Sequence, residues 1–101
     1  MQFSFDEIKN CLDCEILYKK DNINTKELFN ISTDTRKLTY GDVYLPLRGE
    51  NFDGHSFITK AIENGARGYF TQDKFKIDKN ADFIIYVKRK NDIDNKKYVK
   101  R

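Results

Sequence analysis

Four groups of residues carry side chains that could do chemistry. Asp34 and Arg36 stand two apart, a spacing at which a carboxylate and a guanidinium can pair with each other or with loop backbone and fix the end of a strand. Glycines at both ends of Gly49-Glu50-Asn51-Phe52-Asp53-Gly54 allow that loop to bring its backbone close to a ligand. His55, the single histidine, invites a reading as a general base, yet no serine or cysteine around it has a nucleophile's motif. A histidine at a helix start, packed or hydrogen-bonded locally, is the better expectation, with Asp53 capping the same helix. Cys11 and Cys14 form a lone Cys-x-x-Cys; a zinc site needs two more ligands, and a redox pair needs a strand-to-helix turn inside a βαβ unit. Two ordinary reduced thiols near a helix end are expected.

The elements that must position these groups are legible from periodicity and punctuation. Ser4-Phe5-Asp6-Glu7 has capping-box spacing, and Phe5, Ile8 and Leu12 recur at helical intervals, so a short helix is expected from Phe5 to Leu12. Cys14 to Tyr18 reads as a strand, and Lys19 to Asn24 as a loop. The β-formers of Leu28 to Thr35 and of Val43 to Leu47 predict two neighbouring strands joined by residues 36–42. Pro46 cannot donate a ladder hydrogen bond, which predicts an edge position or a bulge near the end of the second strand. Phe57, Ile58, Ala61 and Ile62 form one helical stripe within His55 to Asn64 and are expected in the core, with Gly65 placed for a left-handed cap. Tyr69 to Thr71 and Phe83 to Val87 complete the strands. The pattern predicts one α/β domain with a small mixed sheet packed with helices.

Composition agrees with a globular chain. Of 101 residues, 39% are hydrophobic and 35% charged, which suits a packed domain better than a disordered one. No apolar run approaches the roughly 20 residues that cross a bilayer, and Met1 to Glu7 has no basic region followed by an apolar stretch. A cytoplasmic protein without a membrane role is expected. The net charge of +3 is unevenly placed: residues 1–87 hold 12 Lys/Arg against 14 Asp/Glu, whereas residues 88–101 hold 7 against 2. The division expected is a domain over residues 1–87 and a basic, flexible tail over residues 88–101. That tail could contact phosphates, but it does not interleave aromatic rings with its charges as base stacking requires, so nucleic acid is not the expected partner.

The order Asp34-Thr35-Arg36, Gly41-Asp42-Val43-Tyr44, Leu47-x-Gly49, Phe52-Asp53-Gly54-His55, Phe57, Ala61 and Gly65-Ala66 resembles the N-terminal domain of the MurE and MurF ligases. Those enzymes use ATP to extend the peptide on a UDP-N-acetylmuramoyl precursor of peptidoglycan. The wording from Thr33 to Thr39 looks more like MurF, which adds D-alanyl-D-alanine, because MurE domains more often have serine in place of Thr35. The resemblance is close over about forty residues and looser over most of residues 1–87.

In this family the domain holds the uracil and diphosphate end of the substrate. The resemblance therefore implies contacts from Thr33 and Thr35, and from the Glu50-Asn51-Phe52 segment. A threonine hydroxyl can donate to a uracil carbonyl or a phosphate oxygen, Asn51 can read the pyrimidine edge, and Phe52 can pack on its face. Asp34, Arg36, Gly49, Asp53, Gly54 and His55 are expected to shape the site without touching ligand. The implied full ligase uses ATP and Mg²⁺, held by a Gly-rich loop ending Gly-Lys-(Ser/Thr), and no such sequence occurs here. Ligation by this chain alone is therefore not expected, and no metal or cofactor is assigned to it. Two other readings stay open: a MurE-type parent that adds a diamino acid, and an interaction or regulatory protein that kept the fold while its basic tail contacts nucleic acid or a partner.

Overall fold

The computed structural model describes residues 2–10, 13–49, 52–74 and 77–88. Cys11, Leu12, Glu50, Asn51 and the segment from 89 to 101 lie outside them, and with them fall the loop tip and all but Lys88 of the basic tail expected above; the first helix, expected to run to Leu12, ends at Lys9 with Asn10 as its C-cap.

Strand β1 (Gln2–Ser4) runs into helix α1 (Phe5–Lys9), and the capping box closes that junction. The Glu7 amide donates to Ser4 Oγ at 3.2 Å while the Ser4 amide donates to Glu7 Oε1 at 2.9 Å. Two of the helix's orphan donors are thereby satisfied. Strands β2 (Cys14–Lys19), β3 (Leu28–Ser32) and β4 (Val43–Tyr44) follow, then a small hairpin of β5 (Arg48–Gly49) and β6 (Phe52–Asp53). A 3₁₀ turn, η1 (Gly54–Phe57), leads into α2 (Ile58–Glu63), and β7 (Gly68–Thr71) and β8 (Phe83–Val87) end the described chain.

Six strands form one sheet in the order β1-β3-β4-β7-β8-β2. The four central strands are parallel, and an antiparallel strand closes each edge, so the mixed α/β sheet expected from the sequence is present. Both faces are covered, which is why Phe83–Val87 is apolar without alternation. The period of two nevertheless sorts side chains between faces. Tyr44, Tyr69 and Ile84 pack beneath α2 with Ile58 and Ala61, whereas Val43, Phe70, Phe83 and Ile85 pack beneath α1 with Phe5 and Phe29. Phe83 meets Phe5 edge-on at 5.1 Å and Phe29 at 5.7 Å between ring centroids. In β2 the register against β8 shifts between Ile16 and Tyr18, and the bulge lets consecutive Leu17 and Tyr18 both pack on the α2 side.

Three expectations are corrected. Strand β4 is interior to the sheet and ends at Tyr44, so Pro46 lies neither on an edge nor in a ladder; it is fully buried just beyond the strand, where no ladder donor is needed. The stretch 48–54 holds a two-stranded hairpin instead of a plain loop. Phe57 is not core: it is 40% exposed, whereas Ile58 and Ala61 are buried. A 3₁₀ turn advances about 120° per residue instead of 100°, so a stripe projected back through η1 as α-helix misplaces Phe57.

Candidate functional site

Strands β3 and β4 end at Ser32 and Tyr44, side by side and pointing the same way. The crevice outside the carboxyl ends of parallel strands is where open α/β sheets bind ligands. Here it is a cleft of about 530 Å³ lined by Thr33, Asp34, Thr35, Arg36, Tyr44 and Phe57.

The turn after β3 is built by short polar side chains. Ser32 Oγ accepts from the Asp34 amide at 3.3 Å and donates to the Asp34 carbonyl at 3.1 Å, ending the strand. Asp34 then takes three bonds from Arg36: the amide to Oδ1 at 2.9 Å, Nε to Oδ1 at 3.1 Å and Nη2 to Oδ2 at 3.1 Å. The fork is bidentate, the geometry in which Arg and a carboxylate match best. These bonds, the side-chain one foremost, hold the Asp34 carboxyl below its ordinary range and raise Arg36 above its own. The pairing expected of Asp34 and Arg36 is thus present. Thr33 is exposed and Thr35 half-buried beside it; among the described residues neither hydroxyl is bonded to another group. The Thr35 carbonyl accepts from Asn64 Nδ2 at 3.1 Å, tying the turn to the end of α2.

The opposite wall hangs on Tyr44 and the hairpin base. The fully buried Tyr44 donates its hydroxyl to the Gly54 carbonyl at 2.9 Å, and the Gly54 amide donates to the Leu47 carbonyl at 2.6 Å. Burial pushes the Tyr44 hydroxyl up, and the charges of Asp34 and Asp53 add to that. A Cβ on Gly54 would lie 2.7 Å from the Leu47 nitrogen and 2.9 Å from its oxygen, so glycine alone permits this approach of two backbones. Asp53 caps η1 as expected, accepting from the His55 amide at 3.0 Å and contacting His55 Nδ1 at 2.8 Å. The other ring nitrogen, Nε2, accepts from the Gln72 amide at 3.2 Å. One nitrogen faces a carboxylate and the other an N–H, which selects the tautomer protonated on Nδ1 and engages both positions in structure.

The structure thus brings Thr33, Asp34, Thr35 and Arg36 to one cleft, and sets Asp53, Gly54 and His55 behind its far wall. Glu50 and Asn51 lie outside the described residues; the Gly49 and Phe52 backbones pair across β5 and β6. Tyr44 and Phe57 are lining residues that sequence reasoning did not nominate. Tyr44 was recognisable only as part of the Gly41-Asp42-Val43-Tyr44 run, and nothing local distinguishes Phe57 from a core position. A larger depression of about 620 Å³ lies beyond η1, and two of its hydroxyls are engaged internally: Tyr69 Oη accepts from the Asp78 amide at 3.0 Å, and Ser56 Oγ donates to the Asp53 carbonyl at 3.0 Å.

The donor set does not fit a resident metal. Among the described residues no three His, Cys, Asp or Glu side chains converge on a point that could hold an ion. No phosphate-loop sequence occurs in the chain either, so no step through ATP or Mg²⁺ is assigned to these residues. No helix among the described residues is long and apolar enough to cross a membrane.

A family profile described as "Mur ligase family, catalytic domain" matches residues 27–101. The UDP-N-acetylmuramoyl-tripeptide–D-alanyl-D-alanine ligase of Synechocystis sp. is 43% identical over 65 residues, 64% of this chain and 14% of its own length. The UDP-N-acetylmuramoyl-L-alanyl-D-glutamate–2,6-diaminopimelate ligase of Clostridium perfringens is 36% identical over 73 residues, 72% of this chain and 14% of its own. The chain therefore spans about a seventh of these relatives. Among solved structures, MurF from Acinetobacter baumannii superposes with a TM-score of 0.67 at 25% identity, covering 86% of this chain and 18% of that one. MurF from Thermotoga maritima, in complex with ADP, gives 0.52 at 31% identity, covering 63% and 14%. The mixed sheet packed against helices matches the N-terminal-domain fold of these ligases. With three quarters of its length inside the family profile, its fold matched and both MurE-type and MurF-type enzymes among its relatives, the chain belongs to the Mur ligase family.

Proposed function

We propose that residues 1–87 are the substrate-recognition domain of a MurF-type ligase, and that the cleft between Thr33 and Phe57 holds the uridine diphosphate end of a UDP-N-acetylmuramoyl peptide. The observation that carries this reading is the convergence of two threonine hydroxyls, an oriented guanidinium and an aromatic face at the carboxyl ends of adjacent parallel strands. Hydroxyls suit the carbonyl edge of a pyrimidine, and the outward N–H groups of Arg36 suit phosphate oxygens. Glu50, Asn51 and Phe52 belong to the same site by the family resemblance. Residues 88–101 form a basic extension outside the domain.

The parent enzyme joins a peptide or amino acid to the nucleotide-linked precursor at the expense of ATP with Mg²⁺, chemistry supplied by other parts of the ligase. The D-alanyl-D-alanine type is favoured by the Thr33 to Thr39 wording and by the 43% identity to the Synechocystis enzyme. A ligase containing this domain should then consume ATP with D-alanyl-D-alanine as acceptor; consumption with a diamino acid instead assigns the MurE type. Recognition itself is tested by titrating the ¹⁵N-labelled chain with UDP to millimolar concentration. The amides of Thr33 to Arg36 and of Asp53 to Phe57 should shift, and stationary resonances in both segments would end the proposal.

A further inference from the structure

We propose that Phe57 is the stacking platform for the flat base of the bound nucleotide, an assignment that rests on the recognition reading above. Phe52 is the ring the family resemblance suggested for this task, and Phe57 had been placed in the core. The structure instead holds Phe57 40% exposed in the wall of the cleft, across from Thr33 and Thr35.

The backbone that carries the ring is held by its surroundings. Phe57 ends the 3₁₀ turn, and that turn is anchored at each preceding residue. Asp53 accepts from the His55 amide, Gly54 is bonded through its amide to Leu47 and through its carbonyl to Tyr44, and Ser56 Oγ reaches back to the Asp53 carbonyl. The Ile58 amide donates to the His55 carbonyl and locks the passage into α2. The side chain that follows, Ile58, is buried under α2, so the chain cannot rotate Phe57 inward without exposing Ile58. A backbone held this way needs no reordering when the ring meets a ligand, which lowers the cost of the contact.

Its chemistry selects the ligand. An aromatic face beside two hydroxyls and an exposed guanidinium suits a planar ring with a polar rim, joined to an anionic group. A pyrimidine nucleoside diphosphate has that constitution. The base lies on the ring face, its carbonyls take the threonine hydroxyls, and the phosphates lie toward Arg36, which is bound to Asp34 through Nε and Nη2 and keeps Nη1 for another acceptor. A saturated sugar phosphate offers no flat face and gains nothing from Phe57.

The test separates this assignment from the recognition reading. With the wild-type chain, the uracil H5 and H6 protons of UDP should move upfield and show NOEs to the Phe57 ring. Phe57→Leu keeps an apolar side chain but removes the π face; it should weaken UDP about 10-fold or more, leave binding of inorganic diphosphate unchanged and abolish the upfield shifts, while Phe57→Tyr retains them. Equal UDP affinity and unchanged H5 and H6 shifts in Phe57→Leu, with Thr33 to Arg36 amides still responding, overturn the assignment and leave recognition standing. If UDP moves none of those amides in the wild-type chain, both fail together.

Discussion

Asp34 takes three bonds from one arginine, and its acidity follows from them. A carboxyl whose folded-state value is depressed favours the folded turn above the ordinary aspartate range, and that contribution is lost as pH falls through the depressed value. The Thr33 to Arg36 turn should therefore stay ordered at neutral pH and loosen in acid, below about 4. Arg36→Ala should return Asp34 to the ordinary range, seen as an upward move of its titration in the ¹³C carboxyl shift; an unmoved titration refutes the pairing as the cause. Gly54 makes a different kind of demand. A methyl group there meets backbone of Leu47 and Pro46 at 2.7 to 3.0 Å, which no side-chain rotation can relieve. Gly54→Ala should cost about 1–3 kcal/mol in urea denaturation, the usual range for overpacking. At this scale the Asp-x-Arg pair and the Asp53 cap were legible, because both depend on residues two apart. The partner of Gly54 was not, since Leu47 approaches it only after the hairpin has formed.

Short elements in this domain depend on their ends more than on their lengths. Helix α1 has five residues, far below what stands alone in water, so its stability comes from the capping box and from burial of Phe5. Ser4→Ala should lower stability by about 1 kcal/mol, read as a reduced urea midpoint with an unchanged slope; a midpoint equal to wild type would show that the cap contributes nothing. The same box was readable from Ser-x-x-Glu spacing, as were β8 from its apolar run and the α2 stop from Gly65, which takes φ +107°. Two features escaped. The 3₁₀ character of η1 arises from Asp53, Gly54 and Tyr44 acting together, and only Asp53 is local. The interior place of β4 depends on β7 arriving twenty-five residues later in register with it, Val43 beside Gly68. Hydrophobic pattern reports which face is buried, and it is silent about which strand lies alongside.

Across the whole molecule the parallel strands give the sheet two unlike poles. Their carboxyl ends open into the cleft; their amino ends are tied by charge. Arg67, 13% exposed, reaches Glu27 at 3.2 Å and lies 3.9 Å from Asp82, which also pairs with Lys20 at 3.3 Å. The Arg67 Nε is buried without a hydrogen bond, so its contact with Asp82 is electrostatic only. Removing this cation leaves Glu27 without that partner and Asp82 with Lys20 alone, and Arg67→Ala should destabilise by about 1 kcal/mol while leaving UDP affinity unchanged, because it lies at the other pole. Between the poles stand Tyr44 and Tyr69, whose hydroxyls are pushed up mainly by burial; for Tyr69 the bond from the Asp78 amide works the other way. A raised folded-state value keeps its full contribution below the unfolded value of about 10 and loses it as pH rises toward the folded value. Stability should thus fall in strong alkali, and tyrosinate absorbance of the native protein should show a late component that a single uniform titration would contradict. The backbone contact at Gly54 bears on any genetic screen of this domain. A selection scored by ligand capture alone would rank Gly54 among the most intolerant positions, ahead of Thr33 and Thr35, the threonines proposed to meet the ligand. Depth of intolerance would then map a tight backbone contact of the scaffold, so abundance must be scored alongside capture before such a map is taken for a binding footprint.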